Sequence, residues 1–281
     1  MNETDLGGSN RFNDMINRAA QPVPAARRPA SAAAGGLVLA GVDDSPISSV
    51  AADHAAIEAG LHGWALRLLT VRRTADDDAG ETVLRRLAER VRANYPEVPV
   101  TSRFAVGAHP ARLLLAEGAD ADLLVVGHRH GTTITALGRS VADRVVRGHR
   151  GPVLVVRMPG WPVGPGFGTR PLVVAVDGSP PASVAMDFAY AEARARGCQV
   201  VALHIVGERM DLARRLETRQ GVAVRHRILA GDPLAALVEE SGRAAAVVVG
   251  RVPRDLFART ALDSAARVLP QRALCPVFVV G

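Results

Sequence analysis

A chain of 281 residues has room for two domains, and 48% apolar content with only 4% aromatic builds cores from Val, Leu, Ile and Ala, as buried parallel strands require. All 34 basic side chains are arginines, and the net charge of +6 is scattered along the chain, which speaks against a nucleic-acid footprint. Cys198 and Cys275 adjoin strand-like runs and read as small buried hydrophobes, with no disulfide or metal site; no segment approaches a charge-free membrane span, so a cytoplasmic chain is expected.

Residues 1–35 are rich in Asn, Pro, Ala and Gly without apolar periodicity, and are expected to be a disordered tail. Arg27-Arg28 ahead of PASAAAGG raises a twin-arginine export signal. The apolar run there is short and ends in Asp43-Asp44, and the same strand recurs at Leu172, so export is not expected.

From residue 36 the chain says nearly the same thing twice. LVLAGVDDSP from Leu37 returns as LVVAVDGSP from Leu172, DLLVVG from Asp122 as AAVVVG from Ala245, and GPVLVV from Gly151 as CPVFVV from Cys275. Self-similarity at about half the chain means tandem related domains, placed at 36–157 and 171–281 with a Gly- and Pro-rich linker at 158–170. Each copy reads as five Val-rich strands alternating with helices. In copy one the strands fall near Leu37–Val42, Ala65–Val71, Val98–Val106, Asp122–Val126 and Val153–Val156. In copy two they fall near Leu172–Val176, Gln199–Val206, Val222–Leu229, Ala245–Val249 and Val277–Val280. The pattern predicts an α/β fold: two tandem doubly wound, Rossmann-like domains, each a five-stranded parallel sheet of order 3-2-1-4-5. Ser45-Pro46, Ser179-Pro180 and Asp232-Pro233 read as helix N-caps followed by proline at the first helical position, and His109-Pro110 stands in the equivalent place in copy one.

In such a sheet a ligand crevice opens where strands one and four diverge. Their ends are Asp43 and Gly127 in copy one, and Asp177 and Gly250 in copy two. The loop after strand four runs from Gly127 to Ser140 in one copy and from Gly250 to Ser264 in the other. Each ends in a serine expected to open a helix whose free N–H groups could receive a phosphate. Equally, Asp43 and Asp177 could simply cap the following turn with Ser45 and Ser179. A metal site from His128-x-His130 finds no neighbouring carboxylate or cysteine in the sequence, and no metal is predicted.

At these residues the chain resembles the universal stress protein family in its tandem form. The resemblance rests on the strand-one aspartate, the turn Val106-Gly107-Ala108-His109-Pro110, the GPVLVV ending and the loop after strand four. In ATP-binding members that loop follows G-x2-G-x9-G-[ST]; the aspartate meets adenine, and the glycines and Ser/Thr hold ribose and phosphates. The resemblance thus implies an adenine-nucleotide (ATP-type) site in copy one from Val42, Asp43, Val71, Gly127, Arg129, Gly131, Gly138, Arg139, Ser140 and Val141. In copy two it implies a counterpart at Asp177, Gly250 and Ser264. Copy one departs from the motif, with His130 at the second glycine and a loop one residue shorter. Copy two keeps the span but carries Pro253 and Asp263 at the inner glycines. Pro253 removes a donor, and Asp263 about 5 Å from a phosphate would repel it by roughly 3 kcal/mol at a dielectric of 20, about a hundredfold in affinity. Copy two is therefore expected to be degenerate, whereas His128, Arg129, His130 and Arg139 keep copy one cationic.

The functional expectation is a stress-response regulator that senses an adenine nucleotide in copy one. The alternative is a non-binding scaffold acting through protein–protein contacts. No nucleophile–base–orienter set, Walker A or G-x-G-x-x-G motif is visible, so any nucleotide hydrolysis should be slow and incidental. By the resemblance the two last strands pair within one chain, leaving another surface for a homodimer.

Overall fold

The computed structural model describes residues 35–74, 78–128, 140–157, 170–206, 216–219, 221–251 and 261–281. The tail 1–34, the loop residues Arg129, Gly131, Gly138 and Arg139, and the linker from 158 to 169 lie outside these.

Copy one contains β1 (Leu37–Gly41), α1 (Ile47–His62), β2 (Ala65–Arg72), α2 (Asp78–Asn94), β3 (Val100–Val106), α3 (Pro110–Glu117), β4 (Leu123–His128), α4 (Val141–Gly148) and β5 (Val153–Arg157). Copy two contains β6 (Leu172–Val176), α5 (Pro180–Arg196), β7 (Val200–Val206), β8 (Leu216–Arg219), β9 (Val222–Ala230), α6 (Pro233–Ser241), β10 (Ala246–Gly250), α7 (Ala261–Arg272) and β11 (Val277–Val280). The strands form one 11-stranded sheet of order β3-β2-β1-β4-β5-β11-β10-β6-β7-β9-β8. Each half keeps the order 3-2-1-4-5 in parallel. The halves meet where β5 and β11 pair antiparallel, Val155 opposite Val277 and Leu154 opposite Phe278.

Side-chain alternation explains the layering. Val38, Ala40, Val125, Leu154, Val174, Val248 and Phe278 point to one face, where α1, α2 and α5 cover a core that runs unbroken across both halves. Leu39, Leu124, Val126, Val153 and Val155 point the other way, under α3 and α4. Val173, Val247, Val249, Val277 and Val279 do the same in copy two, under α6 and α7. Strands buried on both faces read as continuous apolar runs, which is why the sequence shows them plainly. Gly63 and Gly197 end α1 and α5 in the left-handed region, φ 65° and 66°, in matching places of the repeat.

The helix expected between the second and third strands of copy two falls on residues 207–215, which lie outside the described residues; β8 follows them, antiparallel to β9 with Arg219 opposite Val222 and with Gly221 at φ 81°. Two other expectations need correction. Ser45 does not cap α1: the residue preceding the helix is Pro46, and the Ser45 hydroxyl turns back to Asp43. Ser264 does not open α7, which starts at Ala261 and places Ser264 within its first turn. By contrast Ser179, Asp232 and Ser140 cap α5, α6 and α4 as expected.

Candidate functional site

The copy-one crevice lies between β1 and β4, whose residues Gly41 and Val126 are register partners. Val42 follows β1, 5% exposed; its N–H donates to the Leu69 carbonyl at 2.9 Å, and its own carbonyl accepts from the buried Thr70 hydroxyl at 2.8 Å. Asp43 comes next, and one carboxylate oxygen collects three donors. The Ser45 N–H and the Ser48 hydroxyl reach it at 2.9 Å each, and the Ser45 hydroxyl joins them. The Asp43 N–H in turn donates to Ser48 Oγ at 2.8 Å. This is the aspartate-turn arrangement that the sequence left open, with Ser48 as a partner that sequence reasoning missed. It fixes Asp43 rigidly at the mouth of the crevice. Val71 lies partly buried on β2, packed against the core under α3 and α4.

Ser140 caps α4 in a reciprocal box: its hydroxyl accepts from the Asp143 N–H at 3.0 Å, and the Asp143 carboxylate accepts from the Ser140 N–H at 3.2 Å. The box occupies two N–H groups of the first turn and sets a carboxylate beside it. Helix geometry leaves the N–H groups of Val141 and Ala142 without intrahelical acceptors. Val141 itself is exposed, at 38%. An anion at this end would meet two donors and the opposing charge of Asp143, which the sequence reading did not weigh.

Gly127 and Gly250 have a packing role in both copies. A Cβ on Gly127 would lie 2.8 Å from the Ile47 side chain, and one on Gly250 would lie 2.8 Å from Pro181 Cβ and closer still to the Pro181 carbonyl. Ile47 and Pro181 occupy the same place in the two repeats. The glycine is thus needed for the first helix to cross the end of the fourth strand, whatever binds there. Gly250→Ala, which meets backbone, should destabilise the protein by about 1–3 kcal/mol. Gly127→Ala, which meets the stiff β-branched side chain of Ile47 rather than backbone, should cost less. Urea unfolding of the two variants gives the order; the reverse order would refute the packing account.

In copy two the corresponding turn is built differently. Asp177 accepts from the Ser179 N–H at 3.0 Å, but Ala182 stands where copy one has Ser48, and Asp177 Oδ2 is enclosed without a hydrogen-bond partner. A small cleft lies among Asp177, Pro181, Val249, Gly250 and Leu262. Arg251, the residue after Gly250, turns toward the other half: its guanidinium donates to the carbonyls of His149 and, at 2.9 Å, Gly151. Reciprocally, Arg157 donates to the Ala273 carbonyl at 3.3 Å. Each arginine thus neutralises the carbonyl end that follows a helix of the opposite half. The side chains of Asp263 and Ser264, and the whole of Pro253, lie outside the described residues.

The sequence matches the universal stress protein family over residues 37–157 and 168–221, more than half of the chain and parts of both repeats. The chain belongs to the universal stress protein family. A universal stress protein of Mycolicibacterium smegmatis is 31% identical over 86% of this chain and 96% of its own length, so the tandem arrangement spans both proteins. Among solved structures, a universal stress protein from Archaeoglobus fulgidus shares the fold with a TM-score of 0.70 at 20% identity, covering 87% of this chain and 96% of that one. A shorter universal stress protein, solved in complex with cAMP, is 31% identical over 44% of this chain and 97% of its own, with a TM-score of 0.39.

Among the described residues, one group has a metal-type donor set. Glu58 and His62 of α1 and Glu192 of α5 bring their ligand atoms within 4.8 Å of one another. No helix among the described residues is long and apolar enough to cross a membrane.

Proposed function

We propose that this universal stress protein is a stress-response regulator whose first domain senses an adenine nucleotide, with the second domain serving as its structural partner. The observation that carries the reading is the inequality of the two crevices. Copy one holds Asp43 in a three-donor turn beside a capped helix N-terminus, at the switch point of a doubly wound sheet, where such folds bind ligands. Copy two lacks the second hydroxyl, with Ala182 in its place, and commits Arg251 to the seam between halves. Asp43 would meet the base, and Ser140 with the N–H groups of Val141 and Ala142 would meet ribose or phosphate. Arg129, Gly131, Gly138 and Arg139 would complete the phosphate side. The Asp143 carboxylate beside that end favours a ligand of lower charge, such as a monophosphate, over a triphosphate.

The competing reading, a scaffold with no ligand, draws on the same capping box, because Asp143 already satisfies part of what a phosphate would. Titration calorimetry against ATP, AMP and cyclic AMP, with an assay for nucleotide released on heat denaturation, separates the two. Under the sensor reading Asp43→Ala and Ser140→Ala abolish binding and Ser264→Ala does not. Ser140→Ala also removes a cap, at about 1 kcal/mol, so its fold is checked by circular dichroism in parallel. No binding at millimolar ligand by the intact chain would leave the scaffold standing.

A further inference from the structure

The helices α1 and α5 meet on the face where the core is continuous, and four charged or titratable side chains are buried between them. Glu58 and Glu192 stand at the same distance from Asp43 and Asp177, and so do His62 and Arg196. The contacts cross between the halves. Arg196 binds Glu58 of the other half and its own Glu192, the latter at 2.7 Å, while His62 meets Glu192 at 2.9 Å. Arg196, Glu58 and Glu192 are 4%, 2% and 3% exposed as side chains; His62, at 20%, is the opening to solvent and stacks on Trp64.

Two buried carboxylates share one permanent cation. Arg196 also lies over the Phe278 ring of β11, 5.9 Å from its centroid, and next to Cys198. His54, the other titratable group of α1 facing Arg196, is pushed down to about 4 by burial and by that guanidinium, so it stays neutral. Neutrality therefore needs one proton on a carboxyl or on His62. Glu58 Oε2 is fully enclosed and no donor reaches it, a costly position for an ionised oxygen, whereas a protonated Glu58 can donate to the neighbouring Glu192 carboxylate. The donor set of Glu58, His62 and Glu192 would suit a divalent cation, but the guanidinium of Arg196 already lies against both carboxylates and opposes a second cation there.

We propose that the Glu58–Glu192–Arg196–His62 cluster is a proton-binding latch: closing the two halves on each other takes one proton from solvent, through the His62 side, onto Glu58. The new O–H bond forms at the enclosed oxygen, and the carboxyl is then neutral beside the Glu192–Arg196 pair. Burial, reinforced by the Glu192 carboxylate and only partly offset by Arg196, raises Glu58 to about 8. Burial alone would raise Glu192 as well, but the His62 hydrogen bond and the Arg196 charge hold it at about 2. Because Glu58 is raised in the folded state from 4.5, its contribution is complete below pH 4.5 and is lost as pH climbs through about 8. Glu192 has the opposite sign; its contribution is present above pH 4.5 and lost as pH falls toward 2. The latch therefore loosens on the alkaline side of neutrality.

The test compares the full chain with Glu58→Gln, which keeps the shape of a protonated carboxyl. At pH 6.5 in weak buffer, denaturant unfolding of the wild type should release about one proton more than unfolding of the variant. The urea midpoint of the wild type should fall between pH 6 and 9 by more than that of Glu58→Gln. Equal proton release, or parallel midpoint profiles, overturns the proposal. Should the variant not fold, the wild type alone decides. A buried carboxylic-acid band in its infrared spectrum at pH 6.5, lost as the pH passes about 8, supports the latch, and absence of the band at pH 6.5 overturns it.

Discussion

Replacing Arg196 with alanine is expected to lower the free energy of unfolding by about 3–5 kcal/mol. The guanidinium is the permanent cation among four side chains closed off between α1 and α5, and its loss strands the Glu192 carboxylate in the core with only His62 beside it. The cost is that of an uncompensated buried charge rather than the worth of a salt bridge. A second outcome distinguishes these two accounts. Changing Glu58, Glu192 and Arg196 together to apolar residues of similar volume should recover most of the loss, because well-packed hydrophobes replace buried ionic groups at little or no cost. Urea denaturation followed by circular dichroism reads both. A loss below about 1 kcal/mol for Arg196→Ala would mean that water reaches the cluster and screens it.

Phe278→Ala should cost a comparable amount, about 3–5 kcal/mol, by a different mechanism. The ring is 1% exposed, sits on β11 opposite Leu154 of β5, and packs against Phe188 at a centroid distance of 5.1 Å. Its removal opens a cavity at the antiparallel pair that joins the halves, flanked by short strands that relax little. Because Arg196 lies over the same ring, the two substitutions should not add: a double-mutant cycle should give a coupling of about 0.5–3 kcal/mol. Leu237→Ala, from the core on the opposite face, should cost about 2–5 kcal/mol and add simply to Arg196→Ala. Coupling of equal size at both positions would show that the measurement reports global loosening and not the seam.

Much of the fold was legible because buried parallel strands leave a loud signal. Leu123 to Val126 and Val247 to Val249 are apolar at every position, since alternate side chains enter different cores, and no solvent face dilutes the run. The tandem repeat then supplied the topology twice. The added strand β8 was not legible for a local reason: a strand four residues long leaves no periodicity to read, and Gly221 at positive φ closes it into a hairpin with β9. At the site, Asp43 and Ser140 were found from position, but Ser48, Thr70 and Asp143 were not. Hydroxyls and carboxylates that bond to a neighbouring turn look in sequence like any solvated polar residue. Gly127 and Gly250 carry two readings at once: they match a ligand motif, and the close crossing of the first helix also requires a glycine there. The buried ionic cluster could not be read from either helix alone, since its members become neighbours only through the pairing of β5 with β11.

That pairing has a consequence for how the two crevices came to differ. In an assembly of two identical chains every substitution appears on both sides of the axis, so a change that spoils one pocket spoils its twin and a cation placed near the axis meets its own copy. Once the two sides share a single polypeptide, each can vary alone. Position 62 can be a histidine while its counterpart 196 is an arginine, and Arg251 can brace the opposite side while the position after Gly127 remains a histidine. One side can brace the other without being braced in the same way, a division of labour open to a covalent pair and closed to a symmetric one.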